Sequence, residues 1–304
     1  MPMGKGFTFE ITNNLSALLS NAYTSLPNAD TLAPLRITAI TNDSVATLLS
    51  TAYLHPSHTG TRAAAGIIAG TGTNATCLCP VSKLAVGKRR KDAEGILINT
   101  EWSINGTLPA LAPIRTAWDE TVTARSEKPG FQPFEEMVGG RYLGEITRLA
   151  AVELFLDWNV EIPQMMKTPY AVGTKLCSEI EGATSVEEAR ELLGTYFGEQ
   201  EFWNSDRSRE FREIAGAVSD RAAALVAAAT IGVLGLNDEL SFGKGKLVVG
   251  FTGTVLERYF RFRERCQQFL DELAGEGKVQ LVEAKDGGII GAAVLAAMLM
   301  AGTT

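Results

Sequence analysis

Histidine is nearly missing from this 304-residue chain, and its few cysteines are not arranged to hold a metal. The two histidines are His55 and His58 and the four cysteines Cys77, Cys79, Cys177 and Cys266. They lack the paired spacing of a zinc site, so a structural metal is not expected. Positive charge is also in deficit: 28 Lys and Arg against 35 Asp and Glu give a formal net charge of -7, which argues against a general nucleic-acid footprint. The short basic run at 88–91 reads as a solvated loop. No basic start, apolar core and cleavage site combine at the N-terminus, so a reducing, cytoplasmic setting is expected. The longest apolar stretch, 222–236, is interrupted by Thr230, Gly232 and Gly235. It falls short of the roughly 20 residues a bilayer demands and reads as a buried helix, with no membrane partner expected. Internal repeats and long linkers are lacking as well.

What the chain does have is core-forming material. At 45% hydrophobic and 21% charged it can build one large domain or two smaller ones. Ile37–Thr41 is a β-branched run that stops at Asn42 and Asp43 before a helical pattern, which predicts strand, turn and helix. Ala65–Ala69 reads as a strand that runs into GlyThrGlyThrAsn at 70–74 and then the second arm of a hairpin. Gly95–Asn99 is a third strand, ending near Glu101 and Trp102. From about Phe134 to Gly235 the apolar spacing is helical. Strands over Lys246–Gly250 and Val279–Glu283, a helix over Tyr259–Leu273 and a last helix over Gly291–Met300 complete an α/β pattern. Ligands of such domains usually sit at the strand ends.

Each chemical candidate has a plain reading beside a functional one. The turn at 70–74 is either hairpin geometry or a place where backbone N–H groups approach phosphate oxygens, with a hydroxyl from Thr71 or Thr73. It lacks the Lys of a P-loop, so a Walker-type ATPase is not supported. Asn42 and Asp43 either cap the helix that follows or present a carboxylate that accepts a hydroxyl proton during phosphoryl transfer. Glu101 is a surface acid beside Trp102 or a ligand group, and Glu135 a first-turn helix acid or a ligand group.

Taken together and in order, these segments resemble the hexokinase family. GlyLysGlyPhe at 4–7 is similar to its Lys-bearing sugar loop, and IleThrAsnAspSer at 40–44 to its catalytic strand end. GlyIleIleAlaGlyThrGlyThrAsnAla at 66–75 resembles its second phosphate loop with a sugar-binding Asn. IleAsnThrGluTrp at 98–102, PheGluGluMetValGlyGlyArgTyrLeuGlyGlu at 134–145, GlyPheThrGlyThr at 250–254 and AspGlyGlyIleIleGlyAlaAla at 286–293 follow. The resemblance implies a ribonuclease H-like (actin/hexokinase-type) large domain with an extended helical insertion over 37–304. Residues 1–36 would be a remnant of a small domain and sugar loop. It implies ATP with Mg²⁺ as cofactor, and a hexose (glucose, fructose or mannose) as partner, phosphorylated at the 6-hydroxyl. Asp43 would be the base. Lys5, Asn42, Asn74, Glu101 and Glu135 would bind the sugar, and Gly70, Thr71, Gly72, Thr73, Gly253, Thr254, Gly287 and Gly288 the nucleotide.

The sequence departs from the family pattern in three places. A first phosphate loop of the AspLeuGlyGlyThrAsn kind and a SerPhePro segment are missing, so the chain is expected to be an incomplete form with weak turnover or none. Thr252 stands where the family usually has Asp, and Gly287–Ile289 reads GlyGlyIle where the family has GlySerGly. The altered phosphate side opens an alternative: a sugar-binding regulator without catalysis, for which a nuclear location would also fit.

Overall fold

The computed structural model describes residues 14–56, 60–104, 108–237, 240 and 245–302. Five strands form one mixed sheet in the order β3-β2-β1-β4-β5. They are β1 (Thr61–Ala69), β2 (Thr73–Pro80), β3 (Gly95–Asn99), β4 (Lys246–Thr252) and β5 (Val279–Glu283). β1, β2 and β3 form an antiparallel meander, while β4 joins β1 and β5 joins β4 in parallel. This is the ribonuclease H-like arrangement that the sequence led us to expect.

The helices before β1 are α1 (Leu15–Thr24) and α2 (Asp43–Leu54). The predicted insertion lies between β3 and β4. It comprises α3 (Leu108–Leu111), α4 (Ala117–Ala124), α5 (Pro133–Val138), α6 (Leu143–Asp157), α7 (Gln164–Lys167), α8 (Thr174–Gly182), α9 (Val186–Phe197) and α10 (Ser205–Leu236). After β4 come α11 (Thr254–Arg258), α12 (Phe262–Ala274) and α13 (Gly287–Ala301).

α2 lies directly on β1 and β4, and the contact is closer than a side chain would allow. A Cβ at Gly66 would clash with the backbone of Ser44 and Leu48, and one at Gly250 with Thr51. Two sheet glycines therefore seat this helix and fix where its N-terminus points. On its outer side α2 packs against α13.

α10 is longer than the apolar run suggested. At 32 residues it is long and apolar enough, by length and composition, to cross a membrane, yet half of its most apolar window is buried inside the fold. Its buried positions Phe211, Ala215, Val218, Ala222, Val226, Thr230 and Val233 recur at helical spacing and face the core shared with α5, α6, α8, α9 and α12. Beside it, Trp203 is enclosed by the rings of Phe155, Phe197, Phe202 and Phe211.

One strand expectation fails. Residues 33–42, which include Ile37–Thr41, form no strand. Leu35 and Ile40 are half-exposed, and no described strand offers this segment a ladder, without which β-branched composition does not make a strand. Two helices also differ at their starts. α12 begins at Phe262, after Arg261 adopts a left-handed φ of 52°, and α13 begins at Gly287, after Asp286 does the same at 54°.

Candidate functional site

The N-terminus of α2 settles the competition between Asn42 and Asp43. Asn42 is the N-cap: its Oδ1 accepts from the Ser44 amide at 2.9 Å and from the Ser44 hydroxyl at 2.7 Å. Asp43 is the first helical residue and is exposed. One of its oxygens accepts from the Ser44 amide at 2.8 Å, and the other has no hydrogen-bond partner among the described residues. Ser44 is tied to the sheet through Thr76 at 2.6 Å, so the carboxylate stands on an anchored turn.

The 70–74 turn is tight, with the Gly70 amide donating to the Gly72 carbonyl at 2.9 Å. Glu135, buried at the start of α5, lies directly beneath it. The Thr73 amide donates to Glu135 Oε2 at 3.1 Å, and a Cβ at Gly72 would collide with that carboxylate. The Thr73 hydroxyl donates to the Ile68 carbonyl at 2.9 Å and accepts from Trp102 Nε1 at 3.1 Å. Thr73 thus spends its hydroxyl proton inside the turn, whereas the Thr71 hydroxyl has no partner among the described residues. Burial, followed by the charge of Glu135, pushes the Tyr142 hydroxyl up to about 12.

Asn74 and Glu101 meet through a residue the motifs did not single out. The Asn74 amide donates to Asn99 Oδ1 at 2.7 Å and to Glu101 Oε1 at 3.3 Å, and Asn99 Nδ2 donates to the same Glu101 oxygen at 2.7 Å. Glu101 holds a positive φ of 46°, costly for a residue with a side chain, and its amide donates to Asn74 Oδ1 at 3.1 Å. Asn99 stands inside the 98–102 motif and ends its strand, but only Glu101 of that motif was named as a ligand group.

These pieces line one open hollow of ≈ 520 Å³: Asn42, Asp43, Gly70, Thr71, Gly72, Thr73, Asn74, Glu101, Gln132, Glu135, Thr252, Gly253 and Thr254, with Ile68 behind them. Gln132, just ahead of α5, was missed because a lone Gln before a Pro carries no pattern. Lys5 lies outside the described residues. Gly287 and Gly288 are not brought into the hollow: Gly287 is buried against Thr47 of α2 and Gly288 faces open space. The glycine of this segment that helix packing requires is Gly291, where a Cβ would collide with the backbone of Ala46.

Thr71 and Thr254 also border a second hollow of ≈ 540 Å³. Gly140, Arg141, Thr174, Lys175, Ser178, Val255, Arg258 and Tyr259 complete most of its wall. It therefore offers cations and hydroxyls together with an apolar side. No group of three or more His, Cys, Asp or Glu among the described residues could hold a metal ion, so a divalent cation has no preformed protein cage there. The four cysteines are free and buried and none lines either hollow, and burial pushes Cys177 and Cys266 up to about 12.

A ligand hollow at the ends of β1 and β4, on a ribonuclease H-like sheet, places the protein in the α/β class that binds at strand termini. The chain belongs to the hexokinase family: the model of that family, described as Hexokinase, matches residues 64–298. Hexokinase-1 of Schizosaccharomyces pombe is 30% identical, over 86% of this chain and 54% of that protein. Glucokinase of Aspergillus niger is 30% identical, over 96% of this chain and 63% of that protein. The chain thus spans a little over half the length of these two relatives. A solved structure of Schistosoma mansoni hexokinase complexed with glucose aligns with a TM-score of 0.75 at 28% identity, covering 86% of this chain and 57% of that one.

Proposed function

We propose that this chain forms the sugar- and nucleotide-binding wall of an ATP-dependent hexose 6-kinase. The observation that carries the reading is that Asp43, the 70–74 turn and Glu101 line the same hollow, with Asn99 tying Asn74 to Glu101. A hexose offers many hydroxyls and no charge, and the amides and carboxylates of Asn42, Asn74, Glu101, Gln132 and Glu135 suit it. The unengaged oxygen of Asp43 takes the proton of the 6-hydroxyl as that oxygen attacks the γ-phosphoryl group. The Thr71 hydroxyl and the backbone amides of Gly72 and Thr254 face the transferred group, and the neighbouring cation-bearing hollow takes the rest of the nucleotide. Mg²⁺ arrives with ATP and neutralises the triphosphate, since the described residues supply no cage. The residues 1–36, with Lys5, and the body 37–304 keep the roles that the resemblance gives them. Buried free thiols suit a reducing, cytoplasmic setting.

The test combines binding with turnover. Trp102 bonds to Thr73 inside the turn, so its fluorescence should report glucose, fructose or mannose. Asp43→Ala should hold sugar affinity within about 3-fold while lowering sugar-dependent ADP release, measured in a chain extended at the N-terminus that turns over, by roughly 10²–10⁴-fold, the range for a lost general base. Equal release by the variant would overturn the assignment. A second reading, a non-catalytic sugar-binding regulator, draws on Thr252 and on Gly287 and Gly288 lying outside the wall of the hollow. Sugar binding without any Mg·ATP binding would favour it.

A further inference from the structure

At the end of β4 two donors converge on one acceptor. Glu257 Oε1 accepts from the Thr252 hydroxyl at 2.7 Å and from the Gly253 amide at 2.8 Å. Thr252 and Gly253 line the hollow that also holds Thr71 and Gly72. The two turns touch: a Cβ at Gly70 would lie 3.3 Å from Gly253 Cα and 3.4 Å from the Thr254 nitrogen. Gly253 has a φ of +115°, a backbone state that L side chains rarely adopt. A Cβ here would also collide with the Ala69 carbonyl, so only glycine lets the two turns meet, and its amide ends on a carboxylate.

A carboxylate and a phosphate oxygen ask for the same donors. We propose that Glu257 is an internal competitor for nucleotide phosphate, holding the Thr252 hydroxyl and the Gly253 amide until a phosphate displaces it. The proposal rests on the nucleotide reading given above. Glu257 is exposed, so its side chain can swing into water without giving up buried area. While it stays in place, the fraction of molecules offering both donors is reduced, and apparent affinity falls by the same fraction. Its charge also repels an approaching polyphosphate, an effect that salt screens.

The ordinary alternative is a structural one. Gly253 is the N-cap of the five-residue helix α11 and has no side chain to cap it, so Glu257 would simply serve in its place. The two roles predict different responses. A pure cap leaves nucleotide affinity unchanged or weaker when removed, because the turn loosens; a competitor makes affinity rise.

Calorimetric titration of the whole chain with Mg·ADP, in parallel with thermal melts, separates them. Glu257→Gln keeps an acceptor but removes the charge, and Glu257→Ala removes both. Both should bind Mg·ADP about 3- to 10-fold more tightly than the parent, as expected when a charged intramolecular contact no longer has to be broken. The gain should shrink in high salt, and only Glu257→Ala should lose appreciable Tm. Equal or weaker binding by both variants overturns the proposal and leaves the nucleotide reading standing. If none of the three proteins binds Mg·ADP while glucose binding persists, the nucleotide reading fails and this proposal fails with it.

Discussion

Asp43 keeps one carboxylate oxygen without a hydrogen-bond partner among the described residues, and its neighbour does the capping. Asn42 takes the helix-capping bonds, which leaves one Asp43 oxygen directed to solvent at the mouth of the hollow. Asn99 plays a comparable supporting part on the other wall, where it receives from Asn74 and donates to Glu101. Asn99→Ala should therefore weaken sugar binding by about 1–2 kcal/mol without touching the sugar, since it leaves two polar groups short of a partner. Trp102 fluorescence titration measures this, and unchanged affinity would remove Asn99 from the site. The sequence showed that a helix starts near 42 and that an Asn closes a Gly-rich turn. It could not show which of Asn42 and Asp43 caps, nor that the Thr73 hydroxyl is spent on Ile68, because both depend on distances of a fraction of a turn.

Among the elements, α4 is joined to α10 by an ion pair between the buried Asp119 carboxylate and the partly exposed Arg221. Arg221 donates to both oxygens of Asp119 at 2.7 and 2.8 Å, and Asp119 also closes a capping box with Thr116. Burial pushes the Asp119 carboxyl up, but the Arg221 bonds and charge and the Thr116 donors outweigh it and hold the group below its usual value. A depressed carboxyl adds stability that is complete above its unfolded pKa, about 3.9, and is lost as pH falls through the lower, folded value. Thermal melts from pH 6 down to 2 should show this acid loss, and Asp119→Asn should flatten it. Arg221→Ala, which strands a buried carboxylate, should cost about 3–5 kcal/mol in denaturant unfolding at neutral pH. Strands were legible where β-branched runs also found a sheet neighbour: Gly95–Asn99 and Val279–Glu283 form with the bounds expected. Ile37–Thr41 has the same composition and no ladder, and pairing is the one property that local sequence does not contain.

For the molecule as a whole, α2 and α13 leave several large apolar side chains exposed. Tyr53 and Leu54 on α2, and Ile289 and Met298 on α13, are among them. Exposed apolar side chains of this size favour association. The chain should bind a hydrophobic dye and sediment in a concentration-dependent way, and Ile289→Lys combined with Met298→Lys should reduce both effects. A dispersed monomer with no dye binding would contradict this. The general architecture was legible because seven segments occur in one order, whereas the exposure of α13 was hidden in a run that reads from sequence only as a last apolar helix.

The hollow is also a product of distant pairing. Its two glycine turns belong to β1 and β4, where Thr61 lies beside Lys246 and Ile68 beside Thr252, with the entire helical insertion between them in sequence. Local helices form early, while contacts between remote segments must wait for a long loop to close. On dilution from denaturant the far-ultraviolet helix signal should therefore recover before glucose or nucleotide binding does. The capacity to hold a ligand would then be the last property the chain acquires on its way to the native state.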